Sequence, residues 1–225
     1  MYDIVFISYN EPNAEKNWEL LKECFPRAKR VDGVKGIHQA HIKAAKKCFT
    51  KMLWVVDGDA EIHDTFNFDY EVDEYNLETV HVWRSINPIN DLVYGYGGVK
   101  LLPRKLTVKM DLSKPDMTTS ISSKFKAVDE ISNITAFNTD PFNTWKSAFR
   151  ECVKLSSKII DRQNTTETDE RLAVWCSNKF RDREFGNYAV DGAKAGRSYG
   201  MENATDAEAL KLINDFDWLQ EKFDE

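Results

Sequence analysis

The sequence predicts an α/β fold in which a mixed, mostly parallel sheet is flanked by helices. Short apolar runs without alternation begin at Asp3 and Met52, and segments with helical spacing of apolar residues lie between and after them. Unbroken apolar runs are typical of strands that are buried on both faces. Strands that alternate with helices form right-handed crossovers and a largely parallel sheet. A length of 225 residues fits one large domain or one domain with an appendage.

The first part of the chain supplies the elements of this sheet in order. We predict strands over 3–8, 28–31 and 52–56, with helices over 14–25 and 37–49 between them. Pro26 ends the first helix, because proline cannot continue a helical hydrogen-bond pattern. In parallel sheets ligands bind at the carboxyl ends of the strands, so the polar residues after these three strands are expected to meet along one edge.

The rest of the chain has a less regular pattern. We predict a strand over 79–83, a strand, glycine turn and strand over 92–103, and a mobile surface loop over 104–124. Helices are predicted over 141–160 and 171–180, and a capping box at 205–208 opens the last helix. Three glycines within 191–200 predict a loop there.

Composition and cysteine spacing exclude several classes of protein. An apolar fraction of 42% with 30% charged residues excludes wholesale disorder. The apolar runs are far shorter than the ~18 residues of a spanning helix, and no signal peptide is visible, so we expect a cytoplasmic protein without a membrane partner. No CxxC pair occurs, which argues against structural zinc; we expect four reduced thiols at Cys24, Cys48, Cys152 and Cys176.

Charge is distributed unevenly along the chain. The net charge is −6, yet residues 16–51 carry ten Lys and Arg against three acids, and residues 100–126 carry seven against two. Such stretches are either solvated helix faces or surfaces for a polyanion or a diphosphate. A nucleic acid held by phosphate contacts is therefore one candidate partner, although dedicated DNA-binding proteins are usually basic overall.

The informative motif is Asp57-Gly58-Asp59, which directly follows the third predicted strand. Two carboxylates at a strand end supply the hard oxygen ligands that Mg²⁺ or Mn²⁺ prefers, and substrate phosphates and water complete the shell of such an ion. The glycine lets the backbone turn sharply. The alternative interpretation is an exposed Asp-Gly turn, which is a common loop feature.

The run from Asp3 to Asp59 resembles the nucleotide-sugar-binding half of GT-A glycosyltransferases, close to the family-2-like enzymes. The segments FISYNEP, RVDG, KGIHQAHIKAAKKCF and MLWVVDGDAEI occur in the order that this family shows. The resemblance covers about the first 65 residues. The chain also resembles small glycosyltransferases of tailed bacteriophages, some of which modify hydroxymethylated bases in phage DNA. A GT-A-like (Rossmann-like) sheet is the fold that these resemblances imply.

The resemblance implies roles for the residues after the first three strands. Asp59 would ligate the metal that bridges the two phosphates, and Asp57 would contact the ribose or reach the metal through water. Asp32 would hydrogen-bond the nucleobase, taken to be uracil. The residues implied in nucleotide binding are Tyr9, Asn10, Glu11, Asp32, Lys35 and Asp57.

Two further groups are implied on the acceptor side. The glycine turn at 94–100 resembles the acceptor-side turn of these folds, which implies acceptor contacts from Tyr96, Gly97 and Gly98; the alternative is a structural hairpin. Asp129 and Glu130 lie where family enzymes often carry a catalytic base in an acidic pair. An inverting enzyme needs such a carboxylate to take the acceptor proton. The alternative is a solvated helix cap.

The chain departs from its relatives in one respect. Many of them supply a late histidine to the metal, but His38, His41, His63 and His81 all come early. Asp191 is the candidate that could replace it. In the same predicted loop, Lys194 and Arg197 could close over the diphosphate as a lid, because glycine-rich segments form lids. The alternative is a disordered surface loop.

These observations predict one glycosyltransferase domain over 1–225, with a nucleotide-sugar and metal half over 1–103 and an acceptor half over 104–225. The predicted activity is a metal-dependent transfer of a hexosyl or pentosyl group from a UDP-sugar to a hydroxyl acceptor. The most specific acceptor that the resemblance implies is 5-hydroxymethylcytosine in phage DNA. The alternatives are nucleotidyl or phosphoryl transfer and a non-catalytic nucleotide-binding module. The oligomeric state is left open.

Overall fold

The computed structural model describes residues 1–95, 97–159 and 164–225. Its strands are β1 Asp3–Ser8, β2 Lys29–Asp32, β3 Met52–Asp57, β4 Ala60–Ile62, β5 Val80–Ile86, β6 Val93–Tyr94, β7 Val99–Pro103 and β8 Phe125–Thr135. Its helices are α1 Ala14–Cys24, α2 Ile37–Lys47, α3 Arg104–Val108, α4 Met117–Ile121, α5 Pro141–Ser157, α6 Thr165–Trp175, α7 Gly186–Glu202, α8 Ala207–Lys211 and α9 Phe216–Asp224. Single 3₁₀ turns occur at Glu74–Asn76, Asn178–Phe180 and Leu212–Asn214.

The strands form one mixed sheet in the order β2-β1-β3-β7-β5-β8-β4, with β6 paired to β5. The pairs β1/β2, β1/β3 and β5/β8 are parallel, and the other pairs are antiparallel. The predicted α/β class and mixed sheet are therefore confirmed, but the sheet is not mostly parallel, because three of these pairs are parallel and four are antiparallel. The early strands and helices lie within a few residues of their predicted bounds.

Several predicted segments differ from the structure. The loop predicted over 104–124 contains α3 and α4, and the loop predicted over 191–200 lies inside α7. The helix predicted over 171–180 ends at Trp175, and the predicted last helix is divided into α8 and α9. β8 was not predicted, because its charged and polar residues hide the strand pattern. Ile160, the end of one predicted helix, lies outside the described residues.

The chain divides into two compact units, each with its own core. Unit 1 consists of Met1–Asn87, Val93–Leu112 and Ser120–Ala136, and contains the sheet. Unit 2 consists of Pro88–Leu92, Ser113–Thr119 and Phe137–Glu225, and contains α5 to α9.

Trp54 on β3 is at the centre of the core of unit 1 and is fully buried. Its ring centroid lies 4.5 Å from that of Trp83, 5.3 Å from that of Phe68 and 5.8 Å from that of Phe66. Such tilted and edge-on ring pairs add stability to that of the apolar area they bury. This core includes Met52, Trp54 and Val56 of β3, and it therefore holds in place the strand that leads to Asp57.

Asp3 fixes the start of β1. Its carboxylate accepts hydrogen bonds from Lys29 at 2.7 Å and from the backbone N–H groups of Phe49 and Thr50 at 2.6 and 3.1 Å. Burial opposes ionisation of this carboxyl group, but the hydrogen bonds outweigh it and lower its pKa to about 2. The contacts join the first strand to β2 and to the turn before β3.

In unit 2, α5 packs against α7 and the C-terminal helices. Asp140 caps α5 by accepting a hydrogen bond from the Asn143 N–H at 2.8 Å, and Pro141 occupies the first turn, where no N–H is needed. Trp145 stacks on Phe149 with 4.8 Å between ring centroids. Within the described part of the chain, no helix is both long and apolar enough to cross a bilayer.

Candidate functional site

The carboxyl ends of β1, β2 and β3 lie side by side in unit 1. Ser8 is paired with Asp32 across β1 and β2, and Ile7 is paired with Asp57 across β1 and β3. The Ser8 hydroxyl donates to Asp32 Oδ1 at 2.6 Å and accepts from Arg30 Nε at 3.1 Å. The expected meeting of polar strand ends at one edge is thus observed, with an exposed Asp32 carboxylate held by a buried serine.

The turn after β3 leaves little room for a side chain at position 58 unless Glu11 moves. A Cβ atom on Gly58 would lie 2.7 Å from Glu11 Oε2 and 3.2 Å from Ser8 Cβ. The same Glu11 oxygen accepts the Tyr9 N–H at 2.5 Å, and the Asn17 amide donates to the Gly58 carbonyl at 3.0 Å. The loop after β1 and the Asp-Gly-Asp turn are therefore in direct contact.

Asp57 is paired with a lysine that the sequence analysis did not single out. Lys100 Nζ lies 2.7 Å from Asp57 Oδ1 and 2.8 Å from Oδ2, and it also donates to the Gly97 carbonyl. The Lys100 side chain is 3% exposed, whereas that of Asp57 is 36% exposed. The sequence signal for this pair is the single charged residue inside the apolar strand β7. A buried lysine needs a partner that compensates for its charge, so this position indicates an acidic residue nearby.

His41 on α2 is buried next to this ion pair. Its Nδ1 atom lies 2.8 Å from the Ile37 carbonyl, and its Nε2 atom has no hydrogen-bond partner in the described part of the chain. Burial lowers the pKa of His41 to about 4, and the Lys100 charge acts in the same direction, against the opposing effect of Asp57. His41 is therefore neutral at pH 7.

This shift predicts a loss of stability in mild acid. Unfolding returns the His41 pKa to about 6.5, so the unfolded chain binds a proton that the folded chain refuses between about pH 6.5 and 4. We expect the free energy of unfolding to fall over that window, by about 3 kcal/mol at most from this group. In His41→Leu, the contribution of His41 to this decrease in the free energy of unfolding should be absent. Urea unfolding at a series of pH values from 7 to 4 measures the difference. An unchanged pH profile would contradict the assignment.

The glycine turn before β7 lies against a buried polar cluster. A Cβ atom on Gly98 would lie 2.5 Å from Asn133 Nδ2, and Asn133 Oδ1 accepts from the hydroxyls of Ser85 and Ser132, both at 2.8 Å. The Gly98 carbonyl accepts the Asp57 N–H at 2.9 Å. Two of the predicted acceptor residues, Gly97 and Gly98, are thus placed next to Asp57, whereas Tyr96 lies outside the described residues.

Asp59 begins the short connection into β4. Its carbonyl accepts the Ala136 N–H at 2.8 Å, and the Ala136 carbonyl accepts from Asn13 at 3.0 Å. The Asp59 side chain is half-buried. The end of β8 and the loop before α1 therefore hold the backbone of the second aspartate.

The predicted catalytic pair lies in an irregular part of β8. Register shifts separate Trp83, paired with Val128, from Arg84, paired with Ile131, so that Asp129 and Glu130 fall in a bulge. Asp129 is 2.8 Å from Arg84 Nη1, and Glu130 accepts from the Trp83 indole at 2.8 Å. β-Bulges often re-aim side chains next to active sites. The catalytic role of these two acids stays a prediction.

Three predicted residues belong to unit 2, where they lie on α7 rather than in a loop. Asp191 is paired with Arg181 at 2.5 Å, Lys194 donates to Asn178 at 2.9 Å, and Arg197 is exposed. The predicted glycine-rich lid is therefore wrong in its structure, because this segment is helical. The roles of these residues toward a metal or a diphosphate stay predictions.

The remaining predicted nucleotide-binding residues lie in turns of unit 1. Asn10 is exposed and adopts a left-handed backbone with φ of 61°, in the loop between β1 and α1. Lys35 is exposed in the turn between β2 and α2. In the ranges that the structure describes, no group of three or more His, Cys, Asp or Glu side chains is arranged to hold a metal ion.

Comparisons with known proteins give distant similarities. No protein-family model matches the chain, and no curated protein matches it. The solved structure of HddC from Yersinia pseudotuberculosis is similar with 13% identity and a TM-score of 0.36, over 58% of this chain and 90% of that chain.

Two structures of S. aureus TarS are also similar, each with 9% identity. One has a TM-score of 0.39 and covers 89% of this chain and 55% of that chain. The other, TarS 1-349, has a TM-score of 0.38 and covers 99% of this chain and 90% of that chain. At TM-scores this low, these similarities do not assign an activity to the chain.

Proposed function

We propose that this chain is a glycosyltransferase that binds a nucleoside diphosphate sugar, a UDP-sugar, at the carboxyl ends of β1, β2 and β3. The observation that carries the proposal is the joint placement of Ser8, Asp32 and Asp57 at this edge, with the Asp-Gly-Asp turn packed against Glu11. Ligands of α/β sheets bind in this position. The early sequence, which resembles the nucleotide-sugar half of GT-A enzymes, supplies these same residues.

Asp32 is suited to the nucleobase in this proposal. Its carboxylate is exposed at the end of β2, and the Ser8 hydroxyl and the nearby Arg30 guanidinium fix its orientation. An ionised carboxylate only accepts hydrogen bonds, and the ring N–H of uracil is a donor that it can accept from. A base without a ring N–H donor could not make this hydrogen bond. Tyr9, Asn10, Glu11 and Lys35 would surround the base, ribose and phosphates.

Asp59 is the residue that we propose as the metal contact. Both oxygens of Asp57 already accept from Lys100, whose positive charge opposes a dication at the same carboxylate. Asp59 with the donor phosphates and water fits the open oxygen shell of Mg²⁺ or Mn²⁺. When bound, such an ion supplies charge stabilisation for the departing nucleoside diphosphate. Asp57 then orders the turn that positions Asp59.

The acceptor side of the proposal involves the glycine turn before β7 and the acidic pair of β8. Gly97 and Gly98 lie next to Asp57, and Asp129 or Glu130 would take the acceptor proton. The acceptor that we propose is a hydroxyl group of DNA, as in 5-hydroxymethylcytosine. Exposed lysines and arginines of the basic stretches 16–51 and 100–126 would hold its phosphates, whereas the buried Lys100 would not.

Binding of UDP tests the proposal. We expect isothermal titration of the full chain to show that Mn²⁺ strengthens UDP binding by at least about tenfold, which is ~1.4 kcal/mol. The reason is that Asp59 would hold an ion whose charge offsets that of the diphosphate. In Asp59→Asn the metal effect should be lost. In Asp69→Asn, a variant of an exposed acid elsewhere in unit 1, it should persist.

The outcomes separate the parts of the proposal. Absence of UDP binding by the wild-type chain in Mn²⁺ would overturn the donor assignment. A full metal effect in Asp59→Asn would overturn the metal contact alone. Formation of pyrophosphate from a nucleoside triphosphate and a sugar phosphate would instead indicate nucleotidyl transfer.

A further inference from the structure

Two asparagines at the start of α1 contact the turn between β3 and β4 and the end of β8. Asn17 Nδ2 donates to the Gly58 carbonyl at 3.0 Å, and Asn13 Nδ2 donates to the Ala136 carbonyl at 3.0 Å. The two asparagines are four residues apart, which places their side chains on the same side of the helix. One side of the start of α1 is therefore joined to both chain segments that meet at Asp59.

These contacts hold the peptide groups on both sides of Asp59. The Gly58 carbonyl belongs to the peptide group before Asp59, and it accepts from Asn17. The Asp59 carbonyl belongs to the peptide group after it, and it accepts the Ala136 N–H at 2.8 Å. Ala136 is held in turn by Asn13. Because both flanking peptide groups are held, the direction in which the Asp59 side chain leaves the backbone depends on the two asparagines.

The orientation of both carboxamide groups follows from their partners. A carbonyl oxygen only accepts hydrogen bonds, so the NH₂ group of each asparagine must face it. Each Oδ1 atom therefore faces elsewhere, and within the described ranges both Oδ1 atoms are buried without a hydrogen-bond partner. Asn17 as a whole is 4% exposed. A buried polar atom without a partner costs free energy, so the fold keeps these two contacts at a cost.

The helix itself would favour other residues at both positions. Asn13 occupies the N-cap of α1, where an asparagine side chain normally accepts from N–H groups of the first turn. It makes no such hydrogen bond, and its amide is directed to Ala136. Asn17 lies inside the helix, where asparagine is less favourable than leucine. Natural proteins break such local rules mainly at functional sites.

We propose that Asn13 and Asn17 are positioning residues that aim the Asp59 carboxylate at the metal ion of the donor site. This inference rests on the proposed function, in which Asp59 contacts Mg²⁺ or Mn²⁺ together with the donor phosphates. A carboxylate that is held in one direction binds an ion more tightly than one that has to be ordered first. The asparagines act on the ion only through the backbone of the turn.

The test compares Asn17→Leu and Asn13→Ser with the wild type, using titration of the full chain with UDP in the presence and absence of Mn²⁺. Leucine keeps the branched shape of asparagine but cannot donate to Gly58, and serine is too short to replace the amide at Ala136. We expect both variants to lose the strengthening of UDP binding by Mn²⁺, since partners that orient a metal ligand change metal affinity by ~10–100-fold. UDP binding without Mn²⁺ should be unchanged.

Thermal unfolding separates positioning from a general structural role. Asn13→Ser provides a good N-cap and removes a buried oxygen without a partner. Its melting temperature should therefore equal or exceed that of the wild type, although the Mn²⁺ effect is lost. Glu19→Gln, an exposed change on the same helix, should keep both properties of the wild type. A lower melting temperature of Asn13→Ser with weaker UDP binding in the absence of Mn²⁺ would overturn the positioning role.

The same titrations distinguish failure of this inference from failure of the proposed function. A wild-type chain whose UDP binding does not respond to Mn²⁺ would overturn the metal contact of Asp59, and the positioning role with it. A full Mn²⁺ effect in the wild type, in Asn17→Leu and in Asn13→Ser would overturn the positioning role alone.

Discussion

Replacing Asp57 by asparagine is expected to lower the free energy of unfolding of unit 1 by about 3 kcal/mol. The reason is that Lys100, 3% exposed, would keep its charge in a buried place without the carboxylate that compensates for it. Removing one partner of a buried pair costs ~3–5 kcal/mol, and the partial exposure of Asp57 places the expectation at the lower end. Urea unfolding followed by far-UV circular dichroism measures the effect.

A double-mutant cycle separates this charge effect from general damage to the turn. We expect Lys100→Met to be destabilising too, and Asp57→Asn combined with Lys100→Met to recover ~2 kcal/mol relative to the sum of the single variants. The methionine keeps most of the aliphatic volume of lysine. Asp69→Asn, an exposed acid in the same unit, should change stability by less than about 0.5 kcal/mol. Additivity of the two single variants would show that the pair is not coupled.

The same cycle separates folding from ligand binding at the site. The double variant restores a neutral, filled interior but has no carboxylate at position 57. Recovery of stability together with retained Mn²⁺-dependent UDP binding would support Asp59, and not Asp57, as the metal contact. This argument depends on the Lys100 contact to both Asp57 oxygens, at 2.7 and 2.8 Å.

The sequence was sufficient for β1 and β3 because each of them contains an unbroken apolar run. The apolar residues of β1 and β3 are buried on both faces of the sheet, and both strands end at polar residues. The polar ends mark the ends of the strands and the edge of the sheet where Ser8, Asp32 and Asp57 meet. Local pattern and tertiary environment agree there, and such agreement is what makes a segment predictable.

Pattern failed where the tertiary partner decides the structure. β8 carries Asp129 and Glu130 in the middle of a strand, because a bulge turns them to Arg84 and to the Trp83 indole. Lys100 sits in a buried strand only because Asp57 compensates for its charge. Neither partner is close in sequence, so propensity and periodicity carry no information about either pairing.

The glycines of α7 show the same limit and lead to the second prediction. Gly192, Gly196 and Gly200 recur every fourth residue, which places them on one face of the helix. Cβ atoms built on them would collide with the Trp145, Phe149 and Val153 carbonyl oxygens of α5. Glycine allows the backbones of the two helices to approach closely here. The same glycines led to the prediction of a loop, because glycine is also typical of turns and loops.

Gly196→Ala is therefore expected to lower the stability of unit 2 by about 2 kcal/mol. Helix propensity alone predicts the opposite sign, since alanine is favoured over glycine in a helix by ~1 kcal/mol. The added Cβ atom would lie 2.9 Å from the Phe149 Cα and carbonyl carbon, and backbone atoms of a helix cannot rotate away as a flexible side chain can. α5 and α7 would have to separate, with an overpacking cost of ~1–3 kcal/mol or more.

Hydrogen exchange of peptides from α5 and α7 in the full chain measures this effect where it arises. We expect faster exchange in both helices of Gly196→Ala, with exchange in the strands of unit 1 as the internal reference. Ser198→Ala, exposed on α7, should instead gain a few tenths of a kcal/mol from propensity. If Gly196→Ala were stabilised as much as Ser198→Ala, the two helices could not be in backbone contact. The glycine repeat would then have no packing role.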